Sequence, residues 1–559
     1  MSLPLHRPVP AVPAQTELVA RAAFSRGNAY LLLRDQLGPV FDDAAFGDLY
    51  PVLGQPAYAP WRLALVTLMQ FRENLSDRQA AEAVRARIDW KYLLALELAD
   101  AGFDHSVLCE FRARLLEHEA GERLLTHVLD AAREAGLLKA GGRQRTDSTH
   151  VLAAVRELNR IELVAETLRA ALNVLAVLAP VWLERLAGPD WHRRYDHRVE
   201  VGRLPPSGPK RDAYVAQVGT DGFRLLDGLA APGTPPEAAG LPAVALLRRV
   251  WERHFERQGG SGGADPGAPA QVRLRAVQGR GPDNPVESPY DAEARFRAKS
   301  GREWTGYMVH LTETCDAGAP RLVLHADVTP ANVHEAMRTE PIHAALAAKG
   351  LAPAEHLVDS AYVSAEHLVT ARQRHGIDLI GPARPVQNWH TKEKDAFVIT
   401  DFVVDWERRL ARCPEGREST GWGEYRDRKS GRPYIRANFS PADCQPCPAL
   451  ARCTQSRSRR LTLHPRDQHE AVAVARARLT SEAGGQRLYA QRQGVEATIS
   501  QAVRIFGLRR ARYHGLAKTG LQGFATAAAL NLDRLAAWCS SRPIAPTRIS
   551  RFAALGAPS

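Results

Sequence analysis

No apolar run in this 559-residue chain approaches the ~20 residues that span a bilayer. The longest candidate, AALNVLAVLAPVWL, is too short and is interrupted by Asn173 and Pro180. The amino terminus, MSLPLHRPVPAVPAQTEL, has neither the charged start nor the apolar centre of a secretory signal. Both absences lead to the expectation of a cytoplasmic protein with no membrane partner. Cysteine is scarce, seven residues in all, which excludes a disulfide scaffold; four of the seven nevertheless fall between Cys413 and Cys453. Acidic residues are in deficit, 62 against 74 Lys and Arg. The resulting net charge of +12 makes a polyanion the first candidate partner, and no basic amphipathic anchor directs that charge to a membrane surface. What remains is ordinary globular composition, 45% hydrophobic and 24% charged. Because single cores stop growing near ~250 to 300 residues, two or more domains are expected.

Residues 50–137 have a helical pattern. WRLALVTLMQF repeats apolar residues at spacings of three and four, and LSDRQAAEAVRARI offers Ser76 as N-cap with Gln79 three positions on, a capping box. A third helix starts near Ser106 and runs through VLCEFRARLLEHE. Short helices joined by tight polar turns, with Arg78, Arg85 and Arg87 outward, fit a helix-turn-helix module, and a plain helical bundle fits the same pattern. After Asp147 a 3.6-residue period through HVLAAVRELNRIELVAETLRAALNVLAVL predicts the strongest helix of the protein, ending at 178. Residues 186–290 turn rich in Pro, Gly and Arg, which predicts an irregular insertion with one helix near LPAVALLRRVWERHF and a flexible linker at 256–270.

From 302 the pattern changes to strands, EWTGYMVHLTET and PRLVLHADVTP, then helix VHEAMRTEPIHAALAAKG, strand EHLVD, helix SAEHLVTARQRHG and strand DLIGPA. This order predicts a mixed sheet covered by helices, with active-site residues at the carboxyl ends of strands. Beyond the cysteines the chain is helical again as far as LQGFATAAALNLDRLAAWC.

Three carboxylates stand where such elements can aim them at one point. Asp147 ends the strand-like GRQRTD, Asp359 ends EHLVD, and Glu496 lies on the helical segment YAQRQGVEATISQAVRIF. On one continuous helix Tyr489, Arg492 and Glu496 fall within about 60° of one another, and Val495, Ile499, Ala502 and Phe506 are centred about 90° from Glu496. Three carboxylates are the ligand set for a pair of Mg²⁺ (or Mn²⁺) ions that activate an attacking oxygen and stabilise a leaving oxygen at phosphorus. Each acid has a plain alternative. Asp147 and Asp359 can cap the helices that follow them, and Glu496 can pair with Arg492 four residues before it. Asp327 in HADVTP ends a strand as well as Asp359 does, so spacing leaves the second acid open.

The order TDST, RFRAKSGREWTGYMVHLTET, HLVDSAYVSAEHL, YAQRQGVEATISQ closely resembles the DDE transposases of bacterial insertion sequences over nearly the whole chain, including an amino-terminal region like the InsH-type transposase domain. The resemblance implies an RNase H-like catalytic fold in which two aspartates and one glutamate bind the metals, matching Asp147, Asp359 and Glu496. It also implies a Tyr, Arg, Glu, Lys signature. Tyr489, Arg492 and Glu496 reproduce the first three; Val503 stands where the lysine belongs, with Arg504 beside it and Lys518 further on as substitute cations.

Directly after this segment, RIFGLRRARYHGLAKTG carries Arg504, Arg509, Arg510, Arg512 and Lys518 with no acid, a candidate DNA surface whose affinity should fall steeply with salt. Cys413, Cys444, Cys447 and Cys453 supply four thiolates for a structural Zn²⁺, with strand-like YIRANF beside them suiting a zinc ribbon; four reduced thiols without metal are the alternative.

The expected architecture is therefore α+β or α/β: a helical DNA-binding domain at 1–137 and an RNase H-like core at 138–384, interrupted by a helical and Pro/Gly-rich insertion at 150–290. A cysteine-containing insertion follows at 385–475, then the helical remainder of the core at 476–541 and a tail at 542–559. The expected activity is metal-dependent strand cleavage and strand transfer at the ends of the protein's own mobile element. Its partners would be duplex DNA with terminal inverted repeats and target DNA, bound by a homodimer near the bacterial nucleoid. A nuclease of the same fold that does not join strands, and a non-catalytic DNA-binding descendant, are the alternatives.

Overall fold

The computed structural model describes residues 2–3, 8–258, 271–276, 285–383, 395–480 and 483–541; the expected linker beyond residue 258 and the tail from 542 lie outside them. Among the described residues no helix is long and apolar enough to cross a membrane.

The amino-terminal part is helical from Ala14 onward. Helix α1 (Pro60–Glu73) opens with proline in its first turn and ends at Asn74 in the left-handed conformation. After the short turn Asn74–Ser76, α2 (Asp77–Ala86) begins with the expected reciprocal capping box of Ser76 and Gln79. Helix α3 (Ser106–Glu117) starts where the sequence placed it. Arg78 and Arg85 are exposed, but Arg87 does not point outward. Its guanidinium pairs with Glu73 and, at 2.7 Å, with Asp89, and lies 5.3 Å from the Trp90 ring.

The first large departure from the sequence pattern comes at the chain's first long strand. Residues Arg143–Leu152 form β1, which runs straight through Asp147, and the helix that follows, α4 (Arg160–Leu178), begins only at Asn159. Asn159 caps it by accepting from the Ile161 and Glu162 amides, both at 3.0 Å. Asp147 is thus no helix cap, and His150 sits on a strand, its ring 5.1 Å from that of Trp304. The β-branched Thr146, Thr149 and Val151 favour a strand flanked on both edges, whereas the apolar period of α4 had been extended back across it.

The segment after α4 is also more ordered than its composition predicts. It holds α5 (Pro209–Ala230) and α6 (Pro242–His254), packed with α4 around a core that includes Leu168, Val218, Leu247 and Trp251. The sequence found α6 and missed α5, whose Gly219, Gly222 and Gly228 look like breakers. They are close-packing points instead: a Cβ on Gly222 would meet the Trp251 ring at 2.1 Å.

The remaining strands complete a six-stranded sheet: β2 (Arg295–Lys299), β3 (Arg302–Thr314), β4 (Val323–Pro330), β5 (Glu355–Val358) and β6 (Asp378–Ile380). Strand β3 is antiparallel to β1 on one side and to β2 and β4 on the other; β5 is parallel to β1, and β6 parallel to β5. Helix α7 (Ala365–His375) joins β5 to β6. The sheet is therefore mixed and helix-covered, as expected from the order of elements. After the cysteine segment come α8 (Gly494–Arg504) and α9 (Leu516–Cys539). The amino-terminal helices, the sheet and α9 share one core, in which Trp90, Leu124, Val309, Leu324 and Leu530 are all buried.

Candidate active site

Strands β1 and β5 run parallel with Arg143 opposite Glu355 and Thr146 opposite Val358. One step further along each strand stand Asp147 and Asp359, on neighbouring chains about 5 Å apart in the hydrogen-bonding direction. Alternation places Arg143, Arg145 and Asp147 on one face of β1, the face on which α8 lies. The Asp359 carboxylate accepts from the Ala361 amide at 2.8 Å, which holds the turn after β5. Asp327, the competing acid, lies inside β4 rather than at its end, beyond β3, and is engaged by Arg338 at 2.6 and 3.0 Å.

The expected continuous helix around Glu496 is broken. A helix over Ala483–Ala490 passes into a 3₁₀ turn, Gln491–Gln493, before α8 starts at Gly494. Tyr489, Arg492 and Glu496 remain together because Arg492 bridges the carboxylates, 2.9 Å from Asp147 and 3.1 Å from Glu496, with its guanidinium 5.9 Å from the Tyr489 ring. Val495 and Ala502 face the core while Glu496 stays exposed, so the acid borders the buried face as expected. Burial raises the Asp147 pKa, and the nearby Asp359 carboxylate pushes the same way, while the Ser148 amide and Arg492 oppose them.

The groups that position Glu496 escaped the sequence pattern. Glu313 on β3 is fully buried, and its carboxylate gathers Arg145 at 2.6 Å, Arg534 of α9 at 2.8 Å and the Thr498 hydroxyl of α8 at 2.5 Å. Arg145 also donates to the Gln491 carbonyl at 2.5 Å. Gly494 allows this approach, since a Cβ there would lie 2.0 Å from the Arg145 Nη1. The usable signal was Glu313 and Arg145, charges at inward positions of strands that are otherwise apolar or β-branched.

The basic segment divides in two. Arg504, Arg510 and Lys518 are exposed. Arg509 instead donates to Thr149 and to the His150 carbonyl at 3.0 and 2.7 Å, beside a backbone bridge from Arg510 to Leu152. Arg512 stacks 4.3 Å from the Phe71 ring and bonds Asn74 and the Leu75 carbonyl in the α1–α2 turn, at 2.5 and 3.0 Å. Both therefore have structural partners. Val503 is half-buried, and Arg504 next to it is the exposed cation.

Cys413, Cys444, Cys447 and Cys453 line one small cavity together with Phe439 and Leu450. Burial pushes the Cys453 thiol up to about 11; Arg459 opposes it, and the other three cysteines add to it. Among the described residues no group of three or more His, Cys, Asp or Glu side chains stands ready to hold a metal ion.

Two family models match the chain. A transposase domain (DUF772) covers residues 20–114, which include α1, α2 and most of α3. A transposase DDE domain covers residues 412–536, which include Glu496 and the four clustered cysteines; Asp147 and Asp359 lie outside both matches. No curated protein and no solved structure matches it. The DDE domain implies a divalent metal in general, and both matched domains point to DNA as the molecule bound. The chain thus carries a domain of transposases near its start and a transposase DDE domain near its end, and together these support a DDE-type transposase of an insertion sequence.

Proposed function

We propose that Asp147, Asp359 and Glu496 form the catalytic centre of an RNase H-like core that cuts DNA at the ends of its own element and joins the freed ends to a target. The observation that carries this reading is the parallel register of Thr146 with Val358, which sets Asp147, inside β1, beside Asp359, just past the end of β5, on the side of the helix of Glu496. The order and direction of β4, β3, β1, β5 and β6, three antiparallel strands followed by two parallel ones, support the RNase H-like assignment.

The chemistry of the donor set, hard carboxylate oxygens, suits divalent magnesium or manganese, although among the described residues the three acids are not gathered into a ready metal site and Arg492 pairs with two of them. Held by these three side chains, the metal would supply Lewis-acid activation at the phosphodiester. The chain's own residues do the rest. Arg492 neutralises Asp147 and Glu496 and orients both. The Glu313 cluster fixes α8 against β1 and β3. Arg504, Arg510 and Lys518, with Tyr489 and Arg492, meet DNA phosphates, while Arg509 and Arg512 shape the segment that presents them. Water attacks the phosphorus at the element end and releases a 3′ hydroxyl, which then attacks a target phosphodiester; one ester bond replaces another, so no nucleotide is consumed.

In this reading residues 1–137 recognise the inverted repeats, with α1 and α2 as the helix-turn-helix. Residues 138–384 and 476–541 form the core around the insertion at 150–290, and a homodimer holds two ends. The cysteine segment, 385–475, would hold a structural zinc ion; its four sulfurs line one cavity, which favours a metal over four unrelated thiols.

The test uses duplexes carrying the DNA that flanks the gene, a target plasmid and Mg²⁺. The wild-type protein should give strand-transfer products, and Asp359→Asn should give none while still binding the ends. Cleavage surviving in Asp147→Asn, Asp359→Asn and Glu496→Gln alike overturns the assignment, and cleavage without joining makes the protein a nuclease.

A further inference from the structure

The three-stranded sheet of the cysteine segment, Gly421–Arg426, Pro433–Asn438 and Arg460–Leu463, has two unlike faces. Its inward residues, among them Ile435, Ala437, Leu461 and Leu463, close over the small core beside the cysteines. The register sets Gly423 opposite Arg436, Tyr425 opposite Tyr434, and Arg436 opposite Thr462 on the outward face. There the two tyrosine rings stack, with centroids 5.6 Å apart and planes 22° apart. The Arg436 guanidinium lies 5.1 and 5.5 Å from the two ring centroids. Tyr425 is 44% exposed and lies flat over Gly423, where a Cβ would come within 2.7 Å of its ring.

The hairpin that joins the first two strands adds a net positive charge, four cations against one acid. Arg426, Arg428, Lys429 and Arg432 are exposed, and among the described residues none of them forms an ion pair. The acid between them, Asp427, is exposed as well and holds the turn, accepting from the Lys429 and Ser430 amides at 3.1 and 2.7 Å. A cross-strand tyrosine pair is enough to stabilise a sheet, but it gives no reason for an arginine stacked on both rings and four cations beside them. Flat aromatic faces accept unstacked bases, guanidinium groups stack with them, and a cluster of cations releases counterions from phosphates. A cleft whose walls include Ser364 and Glu366 on one side and Tyr434 and Arg436 on the other connects this face to the start of α7, and Ser364 is five residues past Asp359.

We propose that this outward face is a second DNA-binding surface, distinct from the basic segment after Glu496, which takes the strand flanking the reacting phosphate. It rests on the reading of the chain's acid site given above only for where that strand leads. Binding of full-length protein to a short fluorescent DNA, blunt or with a 3′ single-stranded overhang, tests it by anisotropy over a salt series.

The triple variant Arg428→Ala, Lys429→Ala, Arg432→Ala should lower the slope of log affinity against log salt by about 2 to 3 on either DNA. Tyr425→Ala should weaken binding of the overhang DNA by about 5- to 100-fold relative to the blunt one, and Tyr425→Phe should keep it, because stacking needs only the ring. A triple variant with an unchanged slope overturns the proposal, and so does a Tyr425→Ala protein that binds both DNAs as the wild type does. Asp359→Asn should behave as wild type throughout these titrations. If that variant still cleaves, the catalytic assignment fails while the binding surface stands on its own measurement.

Discussion

The acid site and the cysteine site are built in opposite ways. Asp147, Asp359 and Glu496 come from three distant parts of the chain, yet each is carried by an element that packs into the large shared core, and the fully buried Glu313 locks those elements together. The four cysteines are close in sequence, but among the described residues the core beneath them has only seven buried residues. Closeness along the chain is therefore no measure of how firmly a site is held. A core that small gains little against the chain entropy of its loops, and the zinc ion proposed above would supply a cross-link there.

Four outcomes would break or sharpen this contrast, the largest first. On the zinc-bound reading proposed for the cysteine segment, stripping the metal should remove stabilisation on the order of 10 kcal/mol locally. Amide exchange at Ile435 and Leu461 should then accelerate while β1 stays protected; loss of protection in both places, or in neither, would show that the two sites do not differ as described. Glu313→Gln leaves Arg145 and Arg534 without their buried partner, so unfolding should become easier by about 3 to 5 kcal/mol, read from the denaturant midpoint. Cys444→Ser should leave that midpoint for the sheet core unmoved.

Glu335 offers a milder version of the same test. Burial alone would raise its pKa, but Lys299 and Arg297 hold it down to about 2. A depressed carboxylate stabilises the fold above the ordinary Glu range, and that stability, about 3 kcal/mol, should fade as pH drops from near 4.5 toward 2. Glu335→Gln should flatten this part of the pH–stability curve.

The smallest effect concerns Asp147, whose pKa is raised. Its ionised form costs stability at neutral pH, so Asp147→Asn should raise Tm slightly there, with the gain vanishing as pH falls through the carboxylate range. Cleavage should meanwhile drop by at least about 10² to 10³-fold. A Tm that falls would mean that Arg492 relies on Asp147 more than Asp147 is strained by its burial.

Much of this was legible residue by residue. Ser76 with Gln79 marked the start of α2, the strand order from 302 to 380 follows the apolar pattern, and the ordered motifs around the acids pointed to a transposase. Three features were misleading, each for a local reason. The helical period of α4 ran on across β1, where β-branched residues between two partner strands win. Glycines of α5 looked like breakers although they face Trp251 and its neighbours. The segment YAQRQGVEATISQ looked like one helix, but a 3₁₀ turn at Gln491–Gln493 lets Arg145 reach the Gln491 carbonyl.

The sequence by itself determined the chemistry on offer: three carboxylates in order, a Tyr, Arg, Glu pattern, a run of cations and four clustered thiols, all properties of residue type and spacing. Only the tertiary structure placed Asp359 beside Asp147 and Asp327 beyond β3 with Arg338, because strand register is set by pairing across the sheet. It alone also turned Arg509 and Arg512 from free cations into supports, and it alone brought forward Glu313, since a buried charge declares its role only through the partners that folding brings to it.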